Sequence, residues 1–170
     1  LNYSSSGNGS APHLGAALFM QLTDTQMTHV PYRGGALAIQ SVIAGDTQVM
    51  LATSPTVMGF VRGGRMRALA VTTAKASPAI PGIPGAEEAG LPGYDSNFSF
   101  GLYVPAGTTP AVIRRLHAAA AKGLAKPEVR EKIALQGMDA TPSASPEAFE
   151  DELKAEAPMW ERVVLDSGAR

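Results

Sequence analysis

The sequence contains no cysteine, which excludes disulfides, thiolate metal ligands and a cysteine nucleophile. Charged residues are also scarce, at 17% of the 170 residues, and the formal net charge is -1. Lys and Arg form no run, so bulk charge favours neither nucleic acid nor an anionic membrane as a partner. No uninterrupted apolar stretch is long enough to cross a bilayer, and no signal peptide is visible.

The patterns of common active sites are also missing. His13, His29 and His117 are not spaced like the ligands of a zinc or iron site, and no Gly-x-Ser-x-Gly elbow is present. The GNGS segment at residues 7–10 lacks both the ending of a phosphate-binding P-loop and the third glycine of a dinucleotide fingerprint. We therefore expect no catalytic residue, no metal and no cofactor.

The chain length allows one domain with a real core, or a domain plus a piece of another. Hydrophobic residues make up 45% of the chain, which is typical of globular proteins. The sequence begins inside a strand-like segment, whereas natural termini are more often polar and frayed. This start predicts a fragment or a truncated product.

What the sequence does contain, at its beginning, is a loop of small residues, SSSGNGSAP at residues 4–12. Ser10 is placed to act as an N-cap, and Pro12 fits the first turn of the helix that follows. Unpaired backbone N–H groups and the positive end of a helix dipole favour an anion at such a loop, either a carboxylate or a phosphate. The alternative interpretation is an ordinary capped β–α turn.

Strand-like and helical segments alternate along the first part of the chain. After the opening strand, strands are predicted at residues 27–30, 47–52 and 67–73, and helices at residues 14–22, 36–44 and 54–62, the last with Ser54 as N-cap. This order predicts an open, mainly parallel α/β sheet with right-handed crossovers. In such sheets ligands bind at the carboxyl ends of the strands, where the loops at residues 6–10, 32–35 and 53–54 would meet.

The second part of the chain begins with a connection at residues 77–92 that is rich in Pro and Gly. A further strand is predicted at residues 98–104, and a short one at 138–141. Helices are predicted at residues 111–125, from Pro127 to about residue 136, and from Pro146 onward. Ser145 would cap the last helix and Pro158 would kink it.

Several segments carry a resemblance to one family. They are NYSSSGNGSAPHL at 2–14, HVPYRGG at 29–35, GRMRALAVT at 64–72, EAGLPGY at 88–94 and GLYVPAGT at 101–108. In this order they resemble the tripartite tricarboxylate transporter receptors, also called Bug-type extracytoplasmic solute receptors. The resemblance extends over essentially the whole chain.

The resemblance implies a periplasmic, non-catalytic protein that binds a small carboxylate and delivers it to a membrane permease. It implies one lobe of a type II periplasmic binding protein, with residues 1–97 forming a second-lobe ligand-binding domain. Residues 98–170 would be a crossover strand and C-terminal helices that return towards an absent first lobe. Apolar surface left open by that absence predicts self-association, most simply as a homodimer. The alternative is that the final helix folds back and covers the gap within one chain.

Ligand contacts are expected from the strand-end loops, with Arg33 either pairing with a carboxylate or serving as an ordinary surface arginine. The expected ligand-binding residues are Ser6, Gly7, Asn8, Gly9, Ser10, His13, Tyr32, Arg33, Gly34 and Thr53. Many members of the family carry an aspartate where this chain has Ala52. That departure points to a ligand without an amino or polar group for such an aspartate to bind, or to no ligand.

Two alternatives from other functional classes stay open. The first is an interaction protein, a truncated receptor that meets a partner but binds no solute. The second is a hydrolase that uses Ser10 as nucleophile and His13 as base. It is disfavoured because no carboxylate is placed to orient that histidine.

Overall fold

A computed structural model describes residues 1–169. The first part alternates strands and helices, in the order β1 (Asn2–Ser5), α1 (Ala11–Thr23), β2 (Thr28–Pro31), α2 (Gly35–Ala44), β3 (Val49–Met50) and α3 (Ser54–Arg62). The later part contains the helices α4 (Pro110–Leu124), α5 (Pro127–Leu135) and α6 (Pro146–Ser167). The alternation predicted from the sequence is therefore confirmed as far as α3.

The strands form an open parallel sheet in the order β2-β1-β3. In the central strand, Tyr3 pairs with His29 on one side and with Val49 on the other. The predicted α/β class, a mainly parallel sheet flanked by helices, is confirmed. Since the strands run in the same direction, their carboxyl ends and the loops that follow them lie at one edge of the sheet.

Successive side chains of β1 point to opposite faces of the sheet, as in any strand. Tyr3 faces α1, where its ring stacks with His13 at 6.5 Å between centroids. Ser4 faces α2, and its hydroxyl donates a hydrogen bond to the Ala38 carbonyl at 3.1 Å. Helices α1 and α2 therefore cover opposite faces, as right-handed crossovers from β1 to β2 and from β2 back to β3 require.

The main hydrophobic cluster lies where α1 packs against α6 and the loop at residues 86–94. Its buried members are Leu18, Ala86, Tyr94 and Val163. The Tyr94 hydroxyl donates to the Gly15 carbonyl at 3.1 Å, and burial raises the pKa of Tyr94 to about 12. This packing fixes α1, and with it the loop that leads into the helix.

Prolines in the first turn mark the starts of the helices well. Pro12, Pro55, Pro110, Pro127 and Pro146 all occupy such positions. Ser145 caps α6 as predicted, since its hydroxyl accepts a hydrogen bond from the Ala148 N–H at 3.0 Å. Thr53, rather than the predicted Ser54, occupies the N-cap position of α3. Helix α6 continues through Pro158 to Ser167.

The prediction of a strand at residues 67–73, buried on both faces, is wrong. Val71 forms only an isolated bridge with Gly85, and Leu69 is 68% exposed. An apolar run becomes a strand only when another strand pairs with it. Within residues 1–169, no strand pairs with the segment at residues 67–73.

The predicted strands at residues 98–104 and 138–141 are also not found in the described part of the chain. The ring of Phe98 stacks on Trp160 of α6 with centroids 5.9 Å apart, whereas Phe100 is 76% exposed and Leu102 is 68% exposed. The segment thus contacts α6 at Phe98 and again at Tyr103, whose ring lies 6.3 Å from that of Phe149, while Phe100 and Leu102 face solvent. Among residues 1–169, no helix combines the length and apolar character that a membrane span needs.

Candidate functional site

The loops after the parallel strands form what we call the strand-end site, made of residues 6–10, 32–34 and 53. The first two loops are joined directly, since the Tyr32 N–H donates to the Ser5 carbonyl at 3.0 Å. Gly7 adopts a φ of 128°, and a Cβ atom built on it would lie 3.7 Å from the Tyr32 carbonyl oxygen. The 3.7 Å distance is an ordinary van der Waals contact, so it is the positive φ that favours glycine at this position.

Most backbone donors of the first loop are used within the loop. Gly7 N–H donates to the Ser5 hydroxyl at 3.1 Å, Gly9 N–H donates to Nδ1 of His13 at 3.0 Å, and Ser10 N–H donates to the Gly7 carbonyl at 3.3 Å. Of the four N–H groups predicted to face an anion, only that of Asn8 makes no hydrogen bond within residues 1–169.

Ser10 occupies the predicted N-cap position of α1, but it does not cap the helix with its side chain. Its hydroxyl instead donates to the Gly7 carbonyl at 2.6 Å, which closes the loop. As a result, the N–H groups of Ala11 and His13 in the first helical turn have no hydrogen-bond partner in the described part of the chain. The half-buried Ser6 hydroxyl has none there either. These groups are the donors of the loop and the first helical turn for which the described residues supply no acceptor.

Beneath the first loop lies a stack of aromatic rings. The imidazoles of His13 and His29 are parallel to within 5° at 4.1 Å between centroids, and the Tyr3 ring stacks on His29 at 4.8 Å. Nε2 of His29 lies 2.6 Å from the hydroxyl of the buried Ser5. Burial lowers the pKa of His13, and burial together with the neighbouring His13 lowers the pKa of His29.

The position of His13 defines its role in the loop. Because Nδ1 accepts the Gly9 N–H, the proton of the neutral ring is on Nε2. The ring is 5% exposed, so it supports the loop from below. Tyr3, Ser5 and His29 support the site but were not among the residues predicted from the sequence. Tyr3 and His29 are neighbours because they are paired in the register of β1 and β2.

The second and third loops contribute a cation and two helix starts. Arg33 is exposed and forms no ion pair among residues 1–169. Gly34, with a φ of 112°, is the N-cap of α2. The half-buried Tyr32 comes directly before Arg33 in the same loop. Thr53 is the N-cap of α3, and its carbonyl accepts the Thr56 hydroxyl at 2.7 Å. No Asp or Glu occurs in the strand-end site, so Arg33 carries its only formal charge.

The geometry does not provide the contacts of a serine hydrolase. Ser10 and His13 form no hydrogen bond with each other in the described residues, since each is bonded to the main chain of the first loop. Ser5 does contact His29, but Ser5 is fully buried and no substrate can reach it. Within residues 1–169, no group of His, Asp and Glu side chains is arranged to hold a metal ion.

Comparison with known sequences identifies related receptors. The family model described as "Tripartite tricarboxylate transporter family receptor" matches residues 1–163. A Pseudomonas sp. strain P51 protein, named for its position in the tcbD-tcbE intergenic region, is 33% identical over 167 residues, which is 98% of this chain and 49% of that protein. Protein BugT of Bordetella pertussis is 31% identical over 163 residues, 95% of this chain and 49% of that protein. The chain thus spans about half the length of these relatives.

Solved structures share the fold. Rpa4515 of R. palustris, solved with adipate, has a TM-score of 0.87 at 31% identity over 99% of this chain and 56% of that chain. MatC from Rhodopseudomonas palustris, solved with bound malate, has a TM-score of 0.81 at 28% identity over 96% of this chain and 56% of that chain. The periplasmic binding protein BugD has a TM-score of 0.80 over 100% of this chain and 57% of that chain, and at 24% identity it indicates the fold alone.

Proposed function

The chain belongs to the tripartite tricarboxylate transporter receptor family, and on this premise we propose that it binds a small carboxylate non-covalently at the strand-end site. Receptors of this family bind solutes, and we propose that this chain likewise catalyses no reaction. Similar structures with adipate and malate support a carboxylate as the class of ligand.

The observation that carries the proposal is the meeting of the loops from parallel strands at one edge of the sheet. The loop from the central strand leads into α1, a helix of 13 residues, so the positive end of the helix dipole faces this edge. The donors without a partner, namely the Ser6 hydroxyl and the N–H groups of Asn8, Ala11 and His13, belong to this loop and to the first helical turn. A carboxylate matches these groups in charge and in hydrogen-bonding type.

The other residues of the site have different proposed roles. Arg33 supplies a charged donor, and its lack of an acidic partner within residues 1–169 leaves the guanidinium available to the ligand. Tyr32, Gly34 and Thr53 form the wall beside the first loop. Gly7, Gly9 and Ser10 keep the loop in shape through their internal hydrogen bonds, and His13 holds Gly9 from below.

The wider setting of the binding step is also part of the proposal. The family assignment and the similarity to periplasmic binding proteins support a receptor in the periplasm that presents its ligand to a membrane permease. Residues 1–97 would carry the ligand site, and residues 98–170 would connect to a first lobe in longer relatives. As a separate chain, the protein would form a homodimer through the exposed apolar residues of this second part.

A second function, as an interaction protein that binds no solute, is favoured by one observation. Phe100, Leu102 and Tyr103 are each more than two-thirds exposed on one short segment. Apolar side chains grouped in this way often mark a surface that meets another protein.

Isothermal titration calorimetry of the 170-residue chain separates the two functions. The panel contains adipate, malate and a tricarboxylate, with adipamide as a control that keeps the chain length but has no negative charge. We expect heat from at least one carboxylate and none from adipamide. A chain that is folded by circular dichroism and binds no member of the panel would contradict the carboxylate proposal and favour the interaction protein.

A further inference from the structure

A groove between α2 and α3 opens beside the strand-end site. It has a volume of about 360 Å³ and is lined by Gly35, Ala36, Ile39, Gln40, Thr56 and Phe60. Sites for small molecules have volumes of roughly 300–1,000 Å³, so the groove is large enough for a short organic chain. Nothing in the proposed carboxylate site uses these residues.

The groove is continuous with the strand-end site along the chain. Gly35 and Ala36 are the first residues of α2, and they follow Arg33 and Gly34 directly. The Cα atoms of Arg33 and Gly35 therefore lie within about 7 Å of each other. On the opposite wall, Thr56 is hydrogen-bonded to the Thr53 carbonyl at 2.7 Å. The mouth of the groove thus lies between the second and third loops of the site.

The lining of the groove selects against polar chains. None of its side chains is charged, and Ala36, Ile39 and Phe60 are apolar. The Thr56 hydroxyl donates its proton to the Thr53 carbonyl, so among the lining side chains only the Gln40 amide can donate a hydrogen bond to a ligand. A hydroxyl group buried here without a partner would bind unfavourably, whereas a methylene group would gain from leaving water.

From this arrangement we infer that the ligand is a carboxylate with an unsubstituted apolar chain, whose head lies at Arg33 and the first loop and whose chain lies in the α2–α3 groove. The inference rests on the proposed function, because it uses the strand-end site to hold the carboxylate. It adds the class of ligand, which is alkyl or aryl carboxylates in preference to polyhydroxylated acids.

The test compares acetate, butanoate, hexanoate and gluconate by calorimetry on the full chain. Each methylene that enters the groove should raise affinity about fourfold. Hexanoate should also bind at least about tenfold more tightly than gluconate, which has the same number of carbon atoms but carries hydroxyl groups. Equal affinities for acetate and hexanoate would contradict the proposal that the ligand chain lies in the groove, while the proposed carboxylate site would still be supported. If no carboxylate binds, the proposed function fails and the groove proposal fails with it.

A pair of variants locates the chain of the ligand. Ala36→Leu places a larger side chain in the groove, and Ala44→Leu adds the same side chain at the exposed far end of α2. The ratio of hexanoate affinity to acetate affinity should fall towards one in Ala36→Leu and should stay at the wild-type value in Ala44→Leu. An unchanged ratio in both variants, with both folded by circular dichroism, would overturn the proposal.

Discussion

The rings of His13 and His29 stack face to face, 4.1 Å apart and parallel to within 5°. Each ring also supports a different part of the first loop, since His13 accepts the Gly9 N–H and His29 contacts the Ser5 hydroxyl, which accepts the Gly7 N–H. Two cationic rings at this distance would repel each other, so at least one of them must be neutral, and Nδ1 of His13 can accept the Gly9 N–H only while it carries no proton. The first loop of the site therefore depends on the protonation state of residues beneath it.

The first prediction concerns the dependence of stability on pH. Burial lowers the pKa of both rings in the folded chain, whereas in the unfolded chain they titrate near the ordinary value of about 6.5. Below that pH the unfolded state binds more protons, so acid favours unfolding. The contribution of the pair is complete above about pH 6.5 and is lost as the pH falls towards the folded pKa values. Urea unfolding at pH 7.5 and pH 5.5 measures this loss.

Substitutions identify the histidines responsible. His29→Phe keeps an aromatic ring against His13 but cannot gain a proton, and it should reduce the loss of stability between pH 7.5 and pH 5.5. His117→Gln is the matched control, because His117 lies on α4 with Nε2 at 2.9 Å from the Ser143 carbonyl, outside the stack. If the control reduces the loss as much as His29→Phe does, the stack is not its origin.

The second prediction concerns the charge of the strand-end site. Arg33→Ala should weaken carboxylate binding by about 1.5–3 kcal/mol, the usual contribution of a hydrogen bond to a charged group. Arg115→Ala removes the same charge from α4, outside the site, and should leave the affinity near the wild-type value. Calorimetry with the best ligand of the panel measures both. Equal affinities for the wild type and Arg33→Ala would assign Arg33 to the surface.

The sequence predicted those features of the fold that depend on local chemistry. Pro12, Pro110, Pro127 and Pro146 marked helix starts because the fixed φ of proline suits the first turn. The positions of the strand-end loops followed from the alternation of strands and helices. The hydrogen bonds inside the loops could not be predicted. The Ser10 hydroxyl can either cap the N–H groups of α1 or donate to the Gly7 carbonyl, and no pattern in the sequence distinguishes the two; in the structure it donates to Gly7.

The errors arose where structure depends on distant residues. An apolar run such as residues 67–73 has the composition of a buried strand, but pairing decides whether it becomes one, and Leu69 has no partner strand within residues 1–169. The stack of His13 on His29 was missed for a similar reason. It joins a helix to a strand through the register of Tyr3 with His29, which is set only when the sheet forms.

The third prediction tests the connection that packs against α1. Gly85 bridges to Val71, and a Cβ atom at Gly85 would overlap the backbone of Ala74 and Lys75. Backbone atoms cannot move aside as a flexible side chain does, so Gly85→Ala should lower the free energy of unfolding by about 2–3 kcal/mol. Chemical denaturation measures the change.

Gly59→Ala is the control for this substitution. Gly59 lies inside α3, and a Cβ atom there meets nothing within 4 Å. Alanine favours the helix by up to about 1 kcal/mol relative to glycine, so this variant should be as stable as the wild type or more stable. A Gly85→Ala variant as stable as Gly59→Ala would show that the connection at residues 71–87 adapts to the added methyl group.

The fourth prediction concerns self-association of the chain. Helices α4 and α5 contain no buried residue, and Val112, Leu116 and Leu135 on them are exposed. The segment at residues 100–103 adds Phe100, Leu102 and Tyr103, of which Tyr103 is 71% exposed. Soluble monomers rarely leave large apolar patches open, and a two-fold pairing of identical surfaces is the simplest way to cover these side chains. We therefore expect a dimer at tens of micromolar.

Light scattering on the purified chain measures the mass of the particle directly. The double variant Phe100→Ser/Leu102→Lys should shift the mass from dimer to monomer, because it places polar groups on the surface that would be buried between copies. Leu22→Lys is the control, since Leu22 is an exposed apolar residue on α1, in the first part of the chain. It should leave the dimer intact. A wild-type chain that is monomeric and melts cooperatively would contradict the prediction, because this surface would then be stable in contact with water.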